Sequence, residues 1–414
     1  MVVLGHGVLE VYQAFLAPLL PFLIDKLQLS LAMAGLLASI QTVTGAILQP
    51  LFGVYIDRSA VTRFLVLGPL VAAAAGSLLG LAPNFLAAAL LMALGGLACA
   101  AYHPEATSAV HHATRRGRGL AMSIFMAGGT LGWAIGPVFI LWLVGRMGLG
   151  GSYLAVIPGL MLVGVIWRLG PRHIDGVVQG NGNGYGYANG NGHANGNGNG
   201  NVGGDGAVGS RGFPFADLRD NALPLIMLWL VVVLNGVVNQ SFQTFLPVFW
   251  KSNGMPTMAT GIWLSVMAIC GAVGGIVIAV LSDRLGRRVI LASILALAAP
   301  LFLLYFSSTG LLSWLGLLGA WFILGGVSPI VVVTGQELNK SGAAMTAGLM
   351  MGFGWAGGGL LVTAVGALAD RIGPGPALHS LLLLLLVAAG LAYLVPTAGA
   401  RSAAKGRMAT GAGS

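Results

Sequence analysis

Charge is what this sequence has least of: only 7% of its 414 residues are Asp, Glu, Lys or Arg, where a soluble globular domain carries roughly a quarter. That scarcity, with 57% hydrophobic residues, excludes a soluble domain and places the chain in lipid. Short alternating strands are also missing. The apolar runs are long and continuous, which excludes an outer-membrane barrel and leaves a helical bundle, each crossing of which needs about 20 largely apolar residues. Cysteine is nearly absent. Cys99 and Cys270 both fall in apolar segments with no pairing signature and read as small core residues, so they indicate no redox compartment. No metal-ligand spacing, nucleophile elbow or phosphate loop occurs, so no enzyme activity, cofactor or metal is expected. The net charge of +9 is no nucleic-acid footprint, because the basic residues are scattered singly or in small groups between hydrophobic runs. The first residues lack the positive start and small-residue cleavage site of a signal peptide and read as a retained first helix.

Hydropathy predicts twelve transmembrane helices, near residues 3–24, 31–56, 64–82, 85–109, 118–145, 151–168, 222–248, 257–281, 289–307, 311–334, 342–369 and 376–396. An even number puts both termini on one side. If that side is the cytoplasm, 16 of the 20 basic residues lie in inner loops and tail, the other four being Lys26, Arg146, Lys251 and Arg371. This positive-inside bias predicts a bacterial-type inner (cell) membrane protein with cytoplasmic termini. Residues 180–200 contain 9 Gly and 7 Asn, too polar and flexible to bury anything. The expected organisation is an N-terminal six-helix half (1–169), a disordered cytoplasmic linker (170–216), a C-terminal half (217–397) and a tail (398–414).

The halves repeat. Gly35, Ser39 and Asp57 recur 226 residues later as Gly261, Ser265 and Asp283, and Gln13-Ala14-Phe15-Leu16 recurs as Gln243-Thr244-Phe245-Leu246. GLAMSIFMAGG (119–129) matches GLMMGFGWAGG (348–358). Parallel repeats of this kind are a known architecture of secondary transporters.

Ionisable groups inside a membrane are costly and therefore functional by default. His6, Glu10 and Gln13 share one helix face at i, i+4 and i+7, predicted to look into a central cavity. A carboxyl in apolar surroundings holds a proton more readily than one in water, which suits Glu10 to carry one. Its repeat mate, Gln240, stays polar and loses the titratable proton. Asn235, Asn239 and Gln243 line the same helix at spacing four and are substrate-contact candidates. His103-Pro104-Glu105 can be read either as a proton-passing pair or as a kink with a satisfied imidazole. His111, His112, Arg115, Arg116 and Arg118 read as interfacial anchors. His379 and Glu337 sit near span ends and read as structural.

The loop after the second span carries Asp57-Arg58, and its repeat reads Asp283-Arg284-Leu285-Gly286-Arg287-Arg288. An Asp followed by Arg at a helix end can hold neighbouring termini in one state and release them in another. Span five has Gly128, Gly129, Gly132 and Gly136, small residues that admit close helix approach, followed by the kinking Pro137. The paired loops resemble the signature of the major facilitator family, and the span-five pattern is similar to the Gly-Pro motif of its proton-coupled efflux members. HGVLEVYQAFLAPLLPFLI, LSLAMAGLLASIQTVTGAILQPLFGVYIDR, the His103-Pro104-Glu105-Ala106 turn and RRGRGLAMSIFMAGG together resemble the fosmidomycin-resistance branch. That resemblance implies proton-driven export of a small molecule by alternating access, with partners limited to substrate, protons and lipid and a functional monomer. The residues themselves leave open import by proton symport, and a non-transporting sensor or scaffold. No Arg or Lys lies centrally in any span, so an anionic substrate would have to be met by protonated His6 or His103, by helix N-termini or by arginines at the cytoplasmic mouth, and a neutral or cationic one fits at least as well.

Overall fold

The computed structural model of the chain describes residues 1–58, 63–114, 118–169, 221–339, 346 and 348–395. The expected linker (170–216) and tail (398–414) lie outside the described residues. Among the described residues, twelve helices are long and apolar enough to cross a membrane. They are α1 (Val2–Leu27), α2 (Leu31–Ile56), α3 (Phe64–Leu81), α4 (Phe85–Val110), α5 (Leu120–Met147), α6 (Leu149–Arg168), α7 (Ala222–Ser252), α8 (Thr257–Leu285), α9 (Arg287–Ser307), α10 (Gly310–Leu338), α11 (Leu349–Ile372) and α12 (Pro374–Leu394). All twelve expected spans are present, and the fold is all-α.

The internal repeat reappears as packing. In the first six helices α1 lies on α5, α2 on α4, and α3 on α4 and α6. In the last six, α7 lies on α11, α8 on α10, and α9 on α10 and α12. The α1–α5 seam is close because Gly7 faces Gly128 and Gly132, and the α7–α11 seam is close because Gly236 faces Gly354 and Gly358. Phe15 and Phe245, third residues of the matching tetrapeptides, are both wholly buried. Each half therefore solves the same packing problem with the same small residues.

Two helices are broken where a proline dictates it. Proline has no N–H, and its ring collides with the carbonyl four residues earlier. In α1 the helix is interrupted at Ala14 and Phe15, where Pro18 faces Ala14. In α10 it is interrupted at Gly325 and Gly326, where Pro329 faces Gly325.

The halves meet through α2 with α11 and α5 with α8, two contacts that exchange under the repeat. At the end of the bundle where α1 runs into α2, Lys251 pairs with Asp25 and donates to Pro21 O at 3.0 Å. Both oxygens of Asp370 accept backbone N–H groups at the start of α2, from Leu31 (2.6 Å) and Ala32 (2.9 Å). Nearer mid-span, Ser39 donates to Gly359 O at 2.6 Å. These contacts hold the halves together at that end. An anion on exposed helix N–H groups is worth about 1 kcal/mol, or roughly a fivefold population shift. Asp370→Asn is therefore expected to raise the open population at that end about fivefold. Pulsed electron spin resonance between labels at Gly150 and Ser308, one in each half, checks this, and an unchanged distance distribution would mean that Asp370 does not hold that end closed.

Candidate functional site

His6 and Glu10 are one turn apart on α1, as their spacing predicts, and His103 of α4 joins them. His103 Nε2 lies 3.2 Å from His6 Nε2 and 3.4 Å from Glu10 Oε1, and His6 Nε2 lies 3.6 Å from the same oxygen. His6 Nδ1 is 2.8 Å from Phe125 O, and His103 Nδ1 is 2.9 Å from Cys99 O. A carbonyl oxygen only accepts, so each imidazole must spend its Nδ1 hydrogen there, and both Nε2 atoms in the neutral rings are lone pairs. Three acceptors thus converge on one point. They repel unless a positive centre lies among them, and a single shared proton supplies it.

Glycine makes the arrangement fit. A side-chain carbon on Gly129 of α5 would collide with the His6 ring, and Phe125, which stacks on that ring at 4.1 Å between centroids, is one turn away. Two imidazole nitrogens and a carboxylate oxygen within 4.8 Å are also a donor set that a divalent cation could use. Among the described residues no fourth protein donor joins them.

The adjoining cavity lies one turn further along α1. It has a volume of about 300 Å³ and is walled by both halves. Gln13 and Gln41 contribute from the first half, Gln240 and Gln243 from the second. Trp133 of α5 and Trp355 of α11 add aromatic walls, and among the described residues no charged side chain lines it. Gln13 Nε2 donates to Gly95 O (2.5 Å), and Gln41 Nε2 donates to Gln13 Oε1 (2.5 Å) and Gln13 O (3.1 Å). Gln240 Nε2 donates to Trp355 O at 3.0 Å. Gln243 Nε2 donates to Asn239 Oδ1 at 2.7 Å.

Of the other residues singled out by sequence, Asn239 reaches the cavity through Gln243, and Asn235 is buried with Oδ1 unpartnered and is not a lining residue. Glu105 is 3% exposed, and its Oε2 accepts the N–H of Phe64 at 2.8 Å, capping α3. It stands two residues from His103 and so on another face of α4. Gly128, Gly132 and Gly136 face Val3, Gly7 and Val11 of α1, and Pro137 O abuts Gly261 of α8. At the end of α8, Arg287 bridges Asp283 (2.7 Å) and Glu337, while the Arg288 guanidinium lies 4.8 Å from the Tyr393 ring centroid. Arg284 is exposed. The side chains of Asp57 and Arg58, like those of His111, His112 and Arg118, lie outside the described part, as do Arg115 and Arg116 entirely. Sequence reading missed Gln41, Trp133 and Trp355; the available signal was an amide in mid-span, which Gln41 shares with Gln13.

Against known proteins, the family model described as Major Facilitator Superfamily matches residues 2–338. The chain is 24% identical over 380 residues to the fosmidomycin resistance protein of Escherichia coli (strain K12), covering 89% of this chain and 85% of that one. It is 24% identical over 412 residues to the uncharacterized MFS-type transporter YfnC of Bacillus subtilis (strain 168), covering 96% and 92%. Among solved structures it is similar to a bacterial homolog of the human lysosomal transporter Spinster, inward-facing and unoccupied, with a TM-score of 0.70, 15% identity and 95% of each chain covered. The nucleoside transporter NupG aligns with a TM-score of 0.66 at 15% identity, over 95% of this chain and 97% of that one. With the fold, the repeat and a family model spanning most of its length in agreement, the chain belongs to the major facilitator superfamily of membrane transporters.

Proposed function

We propose that this transporter exports a small molecule in exchange for protons, with His6, Glu10 and His103 as the proton site. The observation that carries the reading is the convergence of three acceptor atoms whose ring hydrogens are both committed elsewhere. Such a site is electrostatically incomplete without a proton. Gln13 connects it to the cavity, lying one turn from Glu10 and bonded to Gly95, which is one turn from Cys99 on α4. Loading the cavity and losing the proton are thereby mechanically linked. The halves rock about the α2–α11 and α5–α8 contacts, with residues 170–216 as tether and both termini in the cytoplasm of a bacterial-type cell. Export rather than import is favoured by the name of the Escherichia coli relative, a resistance protein. A monomer contains every residue the cycle uses.

The test is direction of accumulation in proteoliposomes under an imposed pH gradient, with chelator present to remove divalent cations from the same donor atoms. The solutes are drugs first shown to be tolerated by an efflux-deficient bacterium expressing the protein, fosmidomycin among those screened. Exchange against protons concentrates the solute on the acidic side. Accumulation on the alkaline side is proton symport and overturns the export reading; accumulation indifferent to the gradient overturns proton coupling.

A further inference from the structure

The cavity also specifies what it binds. Resting on the transport reading above, we infer that the substrate is a neutral, flat molecule with an amide or lactam edge, an N–H donor beside a carbonyl, and not an anion.

The hydrogen-bond inventory leads there. A glutamine amide has two N–H donors and two acceptor lone pairs on its oxygen. Both N–H groups of Gln41 are spent on Gln13, and because one of them goes to a backbone carbonyl, the orientation of the amide is fixed. Gln41 Oε1 is therefore left as an acceptor with no partner among the described residues. Gln240 is fixed in the same way by Trp355 O, and retains Oε1 and one N–H. The two halves thus present, respectively, an acceptor alone and an acceptor beside a donor. An amide edge satisfies both; a carboxylate or a doubly ionised phosphonate, which has only acceptors to offer, faces Gln41 lone pair against lone pair.

The backbone adds to the acceptor excess. Ala14, Trp133 and Gln243 all line the cavity, and each lies four residues before a proline: Pro18, Pro137 and Pro247. Their carbonyls lack the helical N–H that would otherwise occupy them. With Trp133 and Trp355 as aromatic walls and no cation in the lining, desolvating a flat neutral donor costs little here, whereas desolvating an unpaired charge is expensive. A volume near 300 Å³ is at the small end of ligand pockets.

Calorimetric titration of the detergent-purified full chain tests this with no pH gradient present, so its outcome does not depend on coupling. The probes are nicotinamide and uracil as a neutral amide and lactam, fosmidomycin as anion and tetraphenylphosphonium as cation. At least one neutral probe should bind saturably and fosmidomycin should not. Gln41→Leu and, separately, Gln240→Leu should each weaken the neutral probe about fivefold or more while the protein stays folded. The second variant stands if the first disturbs Gln13. Overturning results are fosmidomycin or the phosphonium binding more tightly than every neutral probe, no neutral probe binding at all, or both variants binding as wild type does. Binding that behaves as expected without any gradient-driven uptake would overturn the coupling reading and leave this one standing.

Discussion

Glu10→Gln is expected to abolish uphill transport while sparing binding and energy-independent exchange. Each pH unit is worth 1.36 kcal/mol per proton, so a gradient of two units driving one proton per substrate supports an accumulation of about 100-fold. The amide keeps the shape and hydrogen-bonding reach of the carboxylate but cannot bind and release a proton, and its N–H groups can satisfy the two Nε2 lone pairs permanently. Accumulation should then fall to about one, that is, to equilibration, with exchange across a pH-balanced membrane retained within about threefold of wild type. Glu105→Gln is the comparison. Its oxygen caps α3 at Phe64, and the amide oxygen can do the same. It should accumulate as wild type does. If Glu105→Gln loses the gradient and Glu10→Gln keeps it, the proton site is misassigned.

These two carboxylates also mark how far sequence reading reaches. The face shared by His6, Glu10 and Gln13 follows from helical spacing alone, and so do the twelve spans, since both depend on local periodicity. That His103 completes the site depends on α1 packing beside α4, and this depends on Gly129 admitting the His6 ring from α5. No local pattern encodes such a meeting of three helices. Glu105, adjacent in sequence to the same motif, points elsewhere because two residues along a helix turn the side chain through about 200°. Glu337 looked structural from its place at a span end. It binds Arg287 of the repeated loop because α10 ends beside the start of α9, again a tertiary fact. The cavity's tryptophans were hidden for a different reason: in a chain this apolar, an aromatic residue in mid-span carries no contrast against its neighbours.

The repeat links site and gate more closely than either half does alone. Gln13 and Gln243 are repeat mates and both line the cavity, yet only the first is preceded by a titratable neighbour one turn earlier, because Glu10 is replaced by Gln240 in the second half. On the proposed reading, proton binding is confined to one half and recognition is shared between both. On the same reading, a solute bridging Gln41 and Gln240 would draw the halves together at mid-span, beside Ser39 and Gly359, which already join them. Release of the proton on one side and of the solute on the other can then act on the same pair of rocking bodies.

The α1–α5 seam carries the second large effect. A methyl group on Gly132 would run into the carbonyl of Gly7, backbone against backbone, with no side chain able to move aside. The helices must separate, and overpacking of this kind costs typically 1–3 kcal/mol. Gly145, further along the same helix, has open space where its methyl would be, and there alanine should gain from its better helix propensity, by up to about 1 kcal/mol. Gly132→Ala is therefore expected to lower the melting temperature by roughly 5 °C, and Gly145→Ala to leave it level or raise it. Because His6 reaches Phe125 O across the seam two turns from Gly132, the separation should also pull the imidazole off that carbonyl and reduce gradient-driven accumulation in whatever protein remains folded. Melting curves of the two purified variants, read beside their proteoliposome accumulation, check both consequences. Equal melting temperatures would mean that the seam is not close-packed. A destabilised Gly132→Ala with full coupling would mean that the proton site does not depend on the seam.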